Sequence, residues 1–170
     1  NSLTVGKGTN SVAGNTVLGV NALDASVTGG NNTAIGHSAL TNLTSGTNNV
    51  AIGHDSMQQN TTADQNTGCG NIALQDNTTG TNNAAFGAGA LGDNTNADGN
   101  TACGRSALRL NTTGDTNTAI GSFALDANTT GANNVAVGNS ALGANTTANR
   151  NTALGQGALA ANTTGTQNVA

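Results

Sequence analysis

The chain has 170 residues, enough for one ordinary domain, yet it contains no Pro, Trp or Tyr, two Phe and 25 Gly, which leaves little from which to build a conventional core. Charged residues make up 7% of it, and eight Asp oppose four Lys and Arg for a net charge of -4. That balance excludes the high-charge signature of disorder and the clustered cations that nucleic acid or anionic lipid would require.

In chain order, residues 1–14 (NSLTVGKGTNSVAG) place Gly6 only 13 residues before Gly19, and an irregular, shorter first coil is expected there. From Asn15 a strict period of 17 begins, marked by Gly19, Gly36, Gly53, Gly70, Gly87, Gly104, Gly121, Gly138 and Gly155. Nine copies occupy residues 15–167 with no insertion or deletion, and residues 168–170 start another, so the expected object is a segment of a longer chain. Repeats of fixed length are the mark of a solenoid, in which each turn supplies half of its neighbour's core.

Each copy is numbered here from its Asn. Position three is small and mostly Ala, position four is apolar, position five is Gly, position eight is Ala except for Ser56, and position nine is Leu except for Met57. Positions twelve to fourteen are typically Asn-Thr-Thr. Such short apolar runs cannot form helices, and the Gly and Asn punctuation breaks any 3.6-residue pattern. The pattern predicts a strand over positions one to four, a turn at the Gly, a second strand over the Ala-Leu region and an Asn-rich corner. The fold class is therefore all-β, a parallel β-solenoid or β-roll.

Stacked in parallel at about 4.8 Å per coil, nine coils would reach roughly 43 Å. Two columns are assigned to the structural core. The first is Ile35, Ile52, Cys69, Phe86, Cys103, Ile120, Val137 and Leu154 at position four. The second is Leu40, Leu74, Leu91, Leu108, Leu125, Leu142 and Leu159 at position nine. The Asn at position one (Asn32, Asn49, Asn66, Asn83, Asn100, Asn117, Asn134 and Asn151) are assigned to a ladder of stacked amides. Positions three and four, like positions eight and nine, are adjacent and both apolar, so a strand would turn them to opposite faces. One lumen cannot bury both, and self-association around a common axis is expected.

Other features invite sharper assignments. His37 and His54 share position six in adjacent coils, with Asp55 beside them; they are the one candidate metal pair, but with no third well-spaced ligand they are read as matching turn residues and no metal is assigned. Cys69 and Cys103 lie two coils apart, about 10 Å in a straight stack, too far for a disulfide, and are read as free, buried substitutes for Ile. Asn60, Asn77, Asn111, Asn128, Asn145 and Asn162 each open an Asn-Thr-Thr that matches the N-glycosylation pattern; the corner itself accounts for them. Arg105, Arg109, Asp64, Asp93, Asp98 and Asp115 interrupt the repeat and are expected on a solvated face. No Glu, no Ser-His-Asp spacing and no phosphate loop is present, so neither enzyme activity nor a cofactor is expected.

Units such as NTAIGHSAL (Asn32 to Leu40) and NTAIGSFAL (Asn117 to Leu125) resemble the head repeats of trimeric autotransporter adhesins, and more closely the Asn-Thr-Ala-Ile-Gly arrays of phage tail-fibre-like surface fibres. The resemblance runs from Asn15 to Ala170, although adhesin heads use nearer 14 residues per coil. It implies a homotrimer of parallel β-rolls, extracellular, on a cell surface or on a virion. The function expected is a structural or adhesive segment of a fibre, with a host-surface or matrix receptor as a further partner. The alternative is an ice-binding solenoid, since regular Thr columns are what an ice-binding face needs. Its weakness is that the Thr of positions thirteen and fourteen are neighbours and a strand would point them apart.

Overall fold

The computed structural model describes residues 3–8 and 10–170, and it contains strands and turns but no helix. Ten strands form one sheet in sequence order: β1 (Leu3–Gly6), β2 (Thr16–Val20), β3 (Thr33–Ile35), β4 (Val50–Ile52), β5 (Thr67–Cys69), β6 (Ala84–Phe86), β7 (Thr101–Cys103), β8 (Thr118–Ile120), β9 (Val135–Val137) and β10 (Thr152–Leu154). β2 to β10 are parallel and in register by one repeat, so that Ala34 faces Ala51 and Ile35 faces Ile52. The expected parallel solenoid of 17-residue coils is what the chain forms.

The start differs from expectation. β1 pairs antiparallel with β2, Leu3 opposite Val20 and Gly6 opposite Val17, so this segment is a reversed edge strand and not a shorter coil.

A second difference lies in the Ala-Leu region, which is turn and not strand. The Gly at position five ends each strand with a φ that side chains rarely adopt, +136° at Gly53, and a methyl group added there would strike the Gly70 carbonyl of the next coil. Positions seven and nine are then left-handed in every copy, as at Ser38 (φ 55°) and Leu40 (φ 52°). A left-handed Leu costs roughly 1–2 kcal/mol. The cost is offset because that backbone puts the Leu side chain in the lumen and aims its N–H at the next coil, Leu40 donating to the Ser56 carbonyl at 3.1 Å and Leu74 to that of Ala90 at 3.0 Å. Positions eight and nine are consequently both buried, contrary to the two-faced reading of that pair.

The lumen is lined by small residues from the strand and Leu from the turn. Ala34, Ala51, Ala85, Ala102, Ala119, Ala136 and Ala153 of position three meet the position-nine Leu column, which is buried throughout except at the half-buried Leu159. One coil departs from this packing in a compensated way. Where Ser56 and Met57 replace Ala and Leu, the facing position-three residue is Gly68, and a methyl group there would come within 2.8 Å of the Ser56 hydroxyl and 3.0 Å of the Met57 side chain. Ser56 instead donates its hydroxyl to the Gly68 carbonyl at 3.0 Å.

Two Asn ladders seal the coil. At position one, the Asn83 Oδ1 accepts from the Asn100 backbone N–H at 2.9 Å in the next coil, while its Nδ2 donates to the Ala97 carbonyl of its own coil at 2.8 Å. The side chain thus joins the first residue of a coil to the fifteenth. At position twelve the amides stack directly, Asn94 onto Asn77 at 2.7 Å, Asn128 onto Asn111 at 2.8 Å and Asn145 onto Asn128 at 2.8 Å. Ladder Asn at both positions are fully buried through most of the stack. Thr at position thirteen adds a third column, with Thr78 donating to the Thr95 carbonyl at 3.0 Å and Thr112 to that of Thr129 at 3.0 Å.

Candidate functional site

Positions two and four stand on the same side of each strand, and with position three filling the lumen they form the outer face of the sheet. This corrects the assignment of Ile35, Ile52, Cys69, Phe86, Cys103, Ile120, Val137 and Leu154 to the core. In the chain they point outward: Phe86 is 46% and Ile120 41% exposed, Cys103 is exposed, and Ile35, Cys69 and Val137 are half-buried. The reason is volume. A lumen closed every 17 residues admits Ala opposite Leu, whereas position four varies from Cys to Phe without disturbing the stack. Beside this column runs position two, a mixture of Thr, Val and Ala. No charged residue falls in either column, so the sheet presents an uncharged stripe from Leu18 to Leu154.

Around the corner from the stripe, position six carries the chain's only two His, in adjacent coils. Their rings stack with centroids 5.1 Å apart and planes 13° from parallel. The Asp55 carboxylate lies 3.1 Å from the His54 Nδ1. Sequence reasoning had Asp55 only as a neighbour; the left-handed turn at Asp55 (φ 54°) is what swings its carboxylate back onto the imidazole. Further along this edge, Arg105 lies over the Phe123 ring at 5.0 Å.

Arg105, Arg109, Asp98 and Asp115 are exposed, while Asp64 and Asp93 are half-buried. Asp64 and Asp98 are held by the coil before, accepting from Thr47 and Thr81 through backbone N–H and hydroxyl. Burial, and then repulsion from Asp93, raise Asp76 above the ordinary carboxylate value. Burial raises Asp126 too, against lowering by its own backbone N–H, that of Ala127 and the Arg109 charge. The cysteines are free as expected, but they lie on the stripe and are not buried. Asn60, Asn77, Asn111, Asn128 and Asn145 are buried with their amide nitrogens hydrogen-bonded, which leaves those Asn-Thr-Thr sites closed to modification in the folded chain. A hollow of about 380 Å³ lies among Asn133, Asn149, Arg150, Thr166 and Gln167, with Arg150 its only charge.

What this arrangement offers is an uncharged, partly apolar outer surface beside an edge that carries the His and Asp side chains. The alternation of positions three and four was legible in the sequence, but which of them faces out was not. Compared with family models, with curated proteins and with solved structures, the chain matches none.

Proposed function

We propose that this chain is a structural segment of a surface fibre, extracellular or virion-borne, that assembles as a homotrimer by burying its position-four stripe against two sister copies, and that it is not an enzyme. The observation that carries the reading is the uncharged apolar column on the outer face of the sheet from Leu18 to Leu154, exposed at Leu18, Ile52, Phe86, Ile120 and Leu154 and half-buried at Ile35, Cys69 and Val137. Contiguous apolar surface of this kind marks an interaction site. A second copy suits it because the stripe repeats at the strand spacing, so that one stripe offers the next the same residue at every step. The family resemblance of the Asn-Thr-Ala-Ile-Gly units supplies the number three and the surface location; a receptor, if the segment is adhesive, would meet the variable charged positions.

The test is the solution mass of the chain by sedimentation equilibrium, alongside the Ile52→Asp, Ile120→Asp double variant. A trimer for the parent and a folded monomer for the variant are expected, because two charges would have to be desolvated within the interface. A well-folded parent monomer overturns the proposal, and thermal hysteresis in that monomer would put the ice-binding reading in its place.

A further inference from the structure

We propose that His37, His54 and Asp55 form a site for a borderline divalent transition metal, of which zinc is the model ion. The two His are the only ones in the chain, yet they fall in one column of adjacent coils. Together with Asp55 they offer three ligand atoms that all lie within 4.8 Å of one another.

Two imidazoles and one carboxylate are a donor set for zinc, cobalt or nickel; calcium and magnesium prefer all-oxygen cages. With metal bonds of 2.0–2.1 Å, tetrahedral geometry separates ligand atoms by about 3.3 Å. The His54 Nδ1 and the Asp55 Oδ2 are already at 3.1 Å. His37 must close in by a small shift of an exposed side chain, from within the 4.8 Å over which the three ligand atoms already lie.

The surroundings orient the three ligands as second partners orient metal sites generally. The Ser38 hydroxyl, itself buried, sits 3.0 Å from the His37 Nδ1, which leaves Nε2 of that ring for the metal. Gln58 donates its amide to the Asp55 Oδ1 at 3.2 Å and leaves Oδ2 free to ligate. Asn71 approaches the His54 Nδ1 at 3.3 Å and is the one group that binding would displace. Underneath, the Asp55 N–H donates to the His37 carbonyl at 2.9 Å and the Ile72 N–H to the His54 carbonyl at 2.9 Å, so the ligands ride on the inter-coil ladder and not on a free loop. Three protein ligands leave a fourth position for water or for an incoming donor. The inference is independent of the assembly proposed above, because these side chains lie off the stripe.

Titration of the metal-free chain with cobalt, read by its visible absorption, and with zinc by calorimetry tests this. One ion per chain is expected, with the intense cobalt bands of a four-coordinate site that zinc then displaces. His37→Gln and His54→Gln should each weaken zinc by roughly 100-fold or more, and Ser38→Ala by about tenfold, in line with what orienting partners contribute. Asp64→Asn, an acid on another face, should leave it unchanged. All three ligands sit outside the lumen, and circular dichroism verifies that each variant is folded. Absence of saturable binding, binding that survives His54→Gln, or one ion per three chains would each overturn the proposal.

Discussion

At the scale of single residues the solenoid is governed by what will not fit. Gly68→Ala places a methyl group against the Ser56 hydroxyl and the Met57 side chain, and overpacking of this kind costs about 1–3 kcal/mol. The same Ala is harmless in seven other coils, so the further changes Ser56→Ala and Met57→Leu, which restore the common pattern, should recover the loss; a thermodynamic cycle from denaturant melts measures the coupling. Gly53→Ala has no such rescue. The added carbon meets the Gly70 backbone at a positive φ, and a loss above about 3 kcal/mol is expected from clash and strain combined. Asp76 behaves differently because its carboxyl, raised by burial and by Asp93, binds its proton more tightly in the folded chain than in the unfolded. Stability therefore falls as pH rises through the interval between the ordinary and the raised value, and the deficit is complete above it. Asp76→Asn should raise the free energy of unfolding at neutral pH by a small margin, about 0.5 kcal/mol or less for so exposed a group, and denaturant melts should show that margin vanish on acidification.

At the scale of the element, each coil is a three-residue strand, a left-handed turn and two Asn columns, and the columns are what make it cooperative. Replacing Asn83 by Ala removes the acceptor of both the Asn100 backbone N–H and the Asn100 side-chain amide, which are buried, while the Ala97 carbonyl keeps its bond from Asn94. Each unpaired group costs about 1–3 kcal/mol, so a loss of roughly 2–6 kcal/mol is expected by chemical denaturation. Asn162→Ala, in a half-buried coil, should cost clearly less. The position-one column could be read from the sequence because buried polar residues at a fixed period must satisfy one another. What could not be read was the route of the bonds: amides at both positions stack on their neighbours, as Asn49 on Asn32 and Asn94 on Asn77, but each column also reaches backbone carbonyls, and the position-one oxygens accept backbone N–H groups of the next coil. The second strand was misread for a related reason, since Ala-Leu carries strand-like content and nothing local marks a Leu as left-handed. The stack imposes that conformation through the hydrogen bond from Leu40 to the Ser56 carbonyl and its equivalents.

At the scale of the molecule, the fold class, the period and the register were all legible, because a repeat without insertions permits one kind of stack. The inward face was not, although the signal was present: a closed lumen cannot absorb the change from Cys69 to Phe86 to Cys103, while an open face can. The metal candidate was half legible, since the column of His follows from the period but the third ligand depends on a turn that brings Asp55 back. Conserved geometry in every coil also creates a hazard that ordinary domains escape. If one coil were looped out during folding and its successor paired in its place, both Asn columns and the Leu column would still match, and closing so short a loop costs only a few kcal/mol. Gly68 against Ser56 and Met57 is a lumen fit that skipping the coil from Asn66 would spoil, because Ala85 would then be forced onto the two larger side chains. The irregular coil is thus a local counting mark, by which this part of a chain of near-copies is held to its own neighbour and not to the next coil along.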